Sequence, residues 1–284
     1  MQQRSIGDVA VGAVGLGEMP LSVEGRPDEQ DAVRVVAAAL DAGMTLIDTA
    51  DAYCTGADEV GHGERLVARA LQAYGGDPDA VLVATKGGHT RQGGAWALDG
   101  SREHLRRACE ASLTALGVEA VGLYQLHRPD PAVDLAESLG ALAELLDEGK
   151  VRMAGVSNLD VDQVRQAQEA LGGRLVSVQN EFSPRFRSSL PELRLCGELG
   201  VAFLPWSPLG GMGKASGLGE QHAAFADVAG ERGVTPQQVC LAWHLAQGPH
   251  VVPIPGSSRV ATAQASAAAA DLELSADELA RLDA

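Results

Sequence analysis

Short apolar runs alternate with longer amphipathic segments along the whole chain, and this alternation limits the fold more than any other feature. The runs Ala13–Gly17, Thr45–Ile47, Val81–Thr85, Val121–Leu126, Val151–Gly155, Leu175–Val178, Val201–Pro205 and Val251–Ile254 read as buried strands. Between them lie helical stripes. Over Ser101–Leu116 the apolar positions Leu105, Ala108, Cys109, Leu113 and Leu116 recur at three- and four-residue steps. Asp134–Glu148 and Pro236–Gln247 repeat the pattern, and Thr235 before Pro236 is a good helix cap. Eight such units predict an α/β fold, a (β/α)8 TIM barrel. The short stretch before Ala13 predicts a hairpin plugging its lower end. No linker or composition break divides the chain, so residues 1–284 are expected to form a single domain.

Composition narrows the function classes. The chain has 284 residues, with 22 Lys+Arg against 38 Asp+Glu, a formal charge of −16. Such an acidic surface argues against non-specific binding to nucleic acid or an anionic membrane. No apolar stretch is long enough to span a bilayer, and the first residues lack a signal-peptide core. Cys54, Cys109, Cys196 and Cys240 show no CxxC spacing, which reads as scattered reduced thiols and a cytoplasmic location. The charge also favours a monomer.

Familiar cofactor motifs are missing. Gly15-Leu16-Gly17-Glu18-Met19-Pro20 ends in a proline that defeats a dinucleotide fingerprint, and Gly210-Gly211-Met212-Gly213-Lys214-Ala215 lacks the glycine and hydroxyl of a P-loop. The histidines show no zinc-like pairing, so no metal is expected.

Four polar residues sit just past strand-like runs: Asp48, Tyr53, Lys86 and His127. Strand C-terminal ends are where a barrel gathers its chemistry. Singly, each has an ordinary explanation: a helix cap for Asp48, packing for Tyr53, a Schiff-base lysine for Lys86, a structural histidine for His127. Jointly they form a proton-transfer set. A lysine ammonium beside a phenol favours the phenolate and pulls its pKa down from about 10. Asp48 keeps that ammonium charged, and the imidazole donates to a carbonyl oxygen. None of the four can carry a hydride, so a redox cofactor is required.

The chain resembles the aldo-keto reductase family over nearly its whole length. The resemblance is carried by Leu46-Ile47-Asp48-Thr49-Ala50-Asp51-Ala52-Tyr53, Ala84-Thr85-Lys86-Gly87-Gly88, Leu126-His127-Arg128-Pro129-Asp130, Gly155-Val156-Ser157-Asn158, Val178-Gln179-Asn180-Glu181, Trp206-Ser207-Pro208-Leu209-Gly210 and Ile254-Pro255-Gly256-Ser257. It implies NADPH-dependent reduction of aldehydes or ketones on a barrel without a Rossmann domain. By position it implies that Ser157, Asn158 and Gln179 hold the nicotinamide carboxamide and that Trp206 stacks on the ring. Ser207, Leu209, Gly211 and Lys214 would cover the pyrophosphate, and Gly256, Ser257, Ser258 and Arg259 would seat the 2′-phosphate. The chain departs from the family at Ser258, where a second basic residue is common, and at Ala265 and Ser266, where a Glu-Asn pair commonly meets the adenine. NADPH is favoured over NADH on Arg259 and the hydroxyls.

Two Gly-rich stretches, Gly87–Gly100 and Leu209–Gly219, are expected to be loops over the barrel mouth. Met19 and Trp96, with Cys54 and Arg128, are candidate substrate contacts for a small-molecule carbonyl compound. The character of the chain is closest to bacterial members acting on pyridoxal-like, sugar or secondary-metabolite carbonyls. Two rivals remain open: a non-catalytic regulatory subunit that binds NADPH, and a Schiff-base aldolase using Lys86.

Overall fold

The computed structural model describes residues 1–284. In chain order the elements are β1 (Gln3–Ile6), β2 (Val9–Gly12), β3 (Leu16–Gly17), α1 (Glu29–Asp41), β4 (Leu46–Asp48), α2 (His62–Ala73), β5 (Leu82–Gly87), β6 (His89–Gln92), β7 (Ala95–Leu98) and α3 (Arg102–Leu116). They continue with β8 (Val121–Leu126), α4 (Leu135–Asp147), β9 (Val151–Ser157), α5 (Val161–Ala170), β10 (Leu175–Gln179), α6 (Leu190–Leu199) and β11 (Ala202–Phe203). The last part is helical: α7 (Leu218–Gln221), α8 (Ala223–Arg232), α9 (Pro236–Ala246), α10 (Val260–Ala268) and α11 (Ala276–Asp283).

Seven parallel strands form one curled sheet in the order β11-β10-β9-β8-β5-β4-β3. The eighth expected strand closes the barrel without becoming a regular strand. Phe203 N donates to His250 O, while Val252 N and Ile254 N donate to Phe203 O and Pro205 O. On the other side Gly15 N and Gly17 N donate to Pro253 O and Pro255 O. Pro253 and Pro255 have no N–H to return, so this edge accepts bonds and donates none. That is why the strand signal at Val251–Ile254 yields a closing segment instead of a full ladder. The fold is a (β/α)8 barrel.

The hairpin β1–β2 forms as expected, with Gln3 opposite Gly12. It plugs the end from which the strands start: Gly12 N donates to Thr45 Oγ1 at 2.9 Å, two residues after Gly43 and just before β4. Ile6 and Val11 are buried in the barrel interior with Leu46, Leu82, Leu123, Met153 and Ile254. Outside the sheet, Leu, Val and Ala side chains of the ring helices pack against it, with α1 between α2 and α10.

The helix signals at Ser101 and Thr235 act as caps. Ser101 Oγ accepts from His104 N, and Thr235 forms a reciprocal capping box with Gln238. The stretch expected as a loop at Gly87–Gly100 instead folds into the antiparallel hairpin β6–β7, with Arg91 opposite Trp96. Its tip is Gly93-Gly94, both at positive φ, the geometry two-residue hairpin turns require. In Leu209–Gly219 the turn at the start tightens into a short 3-10 segment, Ala215–Gly217, and α7 begins at Leu218.

Candidate active site

The strands end in a ring of polar side chains. Asp48 is the last residue of β4, Lys86 the last but one of β5, and His127 follows β8; Ser157 and Gln179 end β9 and β10. Parallel register makes these positions neighbours on one rim: Asp48 pairs with Gly17 and Ala84, and Gln179 with Ser157.

Lys86 is fully buried at the centre. Its Nζ donates to Asp48 Oδ2 at 2.6 Å, to Thr49 O at 2.9 Å and to Tyr53 Oη at 3.1 Å, so all three protons are used. Asp48 Oδ1 accepts from Gln179 Nε2 at 2.7 Å and Gln125 Nε2 at 3.3 Å. Burial alone would lower the Lys86 pKa, but Asp48 and Tyr53 outweigh it and hold the ammonium above its ordinary value. A nitrogen so paired and charged is a poor Schiff-base nucleophile, which removes the support for an aldolase.

Tyr53 departs from expectation. Lys86 does pull its phenol toward ionisation, but burial pushes harder, and the net direction is upward. The phenol is therefore held protonated. His127, buried beside it, is pushed well below the ordinary imidazole value by burial, with Lys86, His89 and Arg128 adding in the same direction. The ring is neutral at neutral pH. Its plane stands edge-on to Tyr53, centroids 5.8 Å apart, and to His89 at 4.3 Å.

These groups open into a cleft of about 820 Å3, the size of a ligand site. Of the expected residues, Met19, Asp48, Tyr53, Trp96, His127, Arg128, Ser157, Asn158, Gln179, Trp206, Ser207, Leu209, Gly211, Gly256, Ser257, Ser258 and Arg259 all line it. Three do not. Lys86 works from behind Tyr53. Lys214 is exposed and borders a separate small pocket with Pro184, Arg185 and His222. Cys54 is buried with Sγ directed at Ala52 O and Gly56 O, so it is no substrate contact.

The only two non-glycine residues with left-handed backbone, Asn158 and Ser207, both stand on this rim. Asn158 Nδ2 donates to His127 O and to Ser157 Oγ, and its Oδ1 accepts from Trp206 Nε1 and Arg128 Nη2. Further round, α10 starts at Val260 with no side-chain cap, and Ser257, Ser258, Arg259 and Thr262 about that start line the cleft. An uncapped helix start beside hydroxyls and Arg259 suits a phosphate, and an amide-lined pocket suits a carboxamide. The residues present fit a phosphorylated nicotinamide dinucleotide.

Sequence reasoning missed several lining residues, among them Glu24, His89, Ser216 and Thr262, and the buried acid Glu18. His89 stands three residues past Lys86, close enough to a strand end to have been a signal. Glu18 accepts from Ser22 Oγ and from Thr49 Oγ1, and burial raises its pKa to about 7.

Comparison with known proteins decides the family. A profile described as "Aldo/keto reductase family" matches residues 13–284. The chain belongs to the aldo/keto reductase family. It is an NAD(P)H-dependent oxidoreductase. It is 34% identical to an uncharacterized oxidoreductase of Schizosaccharomyces pombe over 98% of this chain and 88% of the relative. It is 36% identical to a 6-dehydroglucose reductase of Novosphingobium aromaticivorans over 89% and 84%. Among solved structures, an aldo/keto reductase from Klebsiella pneumoniae in complex with NADP and acetate superposes with TM-score 0.80 at 31% identity, covering 96% of this chain and 91% of that one. Another from the same organism, in complex with NADPH, gives TM-score 0.83 at 30% identity over 100% and 95%. No helix is long and apolar enough to cross a membrane.

Proposed function

We propose that this reductase uses NADPH to reduce an aldehyde or ketone to an alcohol, with Tyr53 as general acid. The observation that carries this reading is the 3.1 Å contact between Tyr53 Oη and the ammonium of Lys86, itself 2.6 Å from Asp48. Bound NADPH supplies the hydride that no side chain here can provide. As negative charge grows on the carbonyl oxygen, Tyr53 Oη gives it a proton. The phenolate left behind faces Lys86 Nζ, and Asp48 keeps that charge in place. The raised Tyr53 pKa suits a group that must hold its proton until the oxygen becomes basic.

Neutral His127 donates to the same oxygen and fixes which face of the carbonyl meets the cofactor. Ser157, Asn158 and Gln179 orient the carboxamide, Trp206 covers the ring, and Ser207, Leu209, Gly211 and Ser216 line the path of the pyrophosphate. Lys214 is left out, since it does not line the cleft. Ser257, Ser258 and Arg259 at the start of α10 take the 2′-phosphate, which favours NADPH over NADH. The neighbours solved with NADP and NADPH support that choice. The whole chain, 1–284, acts as one barrel domain, a cytoplasmic monomer with its four cysteines reduced and buried.

Loss of nicotinamide absorbance with para-nitrobenzaldehyde tests the reading. Turnover with NADPH faster than with NADH is expected. Tight NADPH binding without any oxidation would instead favour a regulatory subunit.

A further inference from the structure

We propose that His89 is a specificity-determining residue that accepts a hydrogen bond from a hydroxyl next to the substrate's carbonyl, so that the cleft is built for α-hydroxy aldehydes or ketones. This rests on the carbonyl-reductase reading above and names the substrate class of that same site.

His89 opens the hairpin wall β6–β7 and lines the cleft with Tyr53, Trp96 and His127. Its Nδ1 lies 3.2 Å from Ala97 O on the facing strand. A carbonyl oxygen can only accept, so Nδ1 carries the ring proton. Burial keeps the ring neutral, outweighing the pull of Ala97 O, with Arg128 and Lys86 pushing the same way as burial. A neutral imidazole protonated at Nδ1 presents Nε2 as a lone-pair acceptor. That atom has no partner within the protein.

The neighbouring imidazole has the complementary role. His127 stands edge-on at 4.3 Å between ring centroids and, on the reading above, would donate to the carbonyl oxygen. A donor and an acceptor side by side match a carbonyl and the hydroxyl on the adjacent carbon. The wall is held still: Arg91, two residues along the same face, stacks on Trp96 at 4.2 Å and donates to Glu24 Oε1 at 2.7 Å. Glu24 also lines the cleft, and its pairing with Arg91 ties the hairpin wall to the opposite rim. If His89 only packed, a phenylalanine would serve as well without placing an unpaired nitrogen in a half-buried position.

The test compares hydroxyacetone with acetone, as kcat/KM with NADPH, in the wild-type enzyme, His89→Phe and His89→Gln. The ratio favouring hydroxyacetone is expected to fall by about ten-fold or more in His89→Phe, mainly through KM. His89→Gln, which places an amide oxygen near the Nε2 position, should recover most of it. An equal ratio in all three enzymes, or a glutamine variant no better than phenylalanine, would overturn the proposal. Reduction of para-nitrobenzaldehyde separates the two failures. If the wild type reduces it while the ratio stays flat, only the role of His89 is wrong. If the wild type oxidises NADPH with none of these compounds, the reductase reading fails and the proposal with it.

Discussion

Gln179 Nε2 donates to Asp48 Oδ1 at 2.7 Å, tying the amide expected to meet the nicotinamide to the carboxylate that holds Lys86. One side chain thus joins the cofactor rim to the proton-transfer set. Gln179→Leu leaves that buried oxygen with only the longer bond from Gln125, at a cost of about 1–3 kcal/mol. Weaker NADPH binding by fluorescence titration together with a lower kcat is expected. Loss of affinity with an unchanged kcat would mean that the two sites are independent.

Lys86→Met should be worse than a simple loss of activity. It strands Asp48 as an unpaired buried carboxylate, and breaking a buried pair costs about 3–5 kcal/mol. Denaturant unfolding checks this. Adding Asp48→Asn should recover part of the stability and none of the turnover, because the phenolate still lacks its cation.

His244 gives a pH dependence of defined sign. It is buried with Nε2 3.0 Å from Pro208 O, and burial lowers its pKa to about 4. Between that value and the unfolded value of about 6.5 the unfolded chain binds a proton that the folded chain refuses. Its stabilising contribution is therefore complete above the unfolded value and is lost as pH falls toward 4. Glu18, raised to about 7, works in the opposite direction, gaining stability as pH falls from there to the ordinary carboxylate range. A comparison with His244→Phe isolates the histidine. Between neutral pH and pH of about 5 the wild type should lose roughly 2 kcal/mol more than the variant, from about 1.4 kcal/mol per pKa unit. Parallel losses in both would contradict the assignment.

Trp96 is exposed at the hairpin face, 6.4 Å from the Tyr53 ring centroid and stacked under Arg91. Trp96→Ala removes apolar wall without touching the proton donor. KM for aromatic aldehydes should rise several-fold with kcat nearly preserved, the pattern of lost uniform binding. Unchanged kcat/KM across a carbonyl panel would remove Trp96 from the substrate site.

The barrel was legible because strand runs and helix stripes have different periods, and because Asp48, Lys86 and His127 fall just where strands end. What local pattern could not supply was partnership across the chain. Gln179 reaching Asp48, or Gln125 behind it, depends on parallel register among β4, β8 and β10. The eighth strand misled for a covalent reason, the two prolines that remove its donors. The stretch Gly87–Gly100 misled because glycines suggest a loop, whereas Gly93-Gly94 make a tight hairpin whose strands set His89 and Trp96 in the cleft wall. The Tyr53 pKa misled because burial, invisible in a motif, outweighs the neighbouring charge.

The most direct measurement of the central claim is a single-turnover rate for Tyr53→Phe loaded with NADPH and saturated with an aldehyde. Phenylalanine keeps the ring and removes only the oxygen that lies 3.1 Å from Lys86 Nζ. The rate should fall by about 100-fold or more, in the range for removal of a general acid, with NADPH affinity unchanged. A rate within a few-fold of wild type would show that the proton comes from elsewhere.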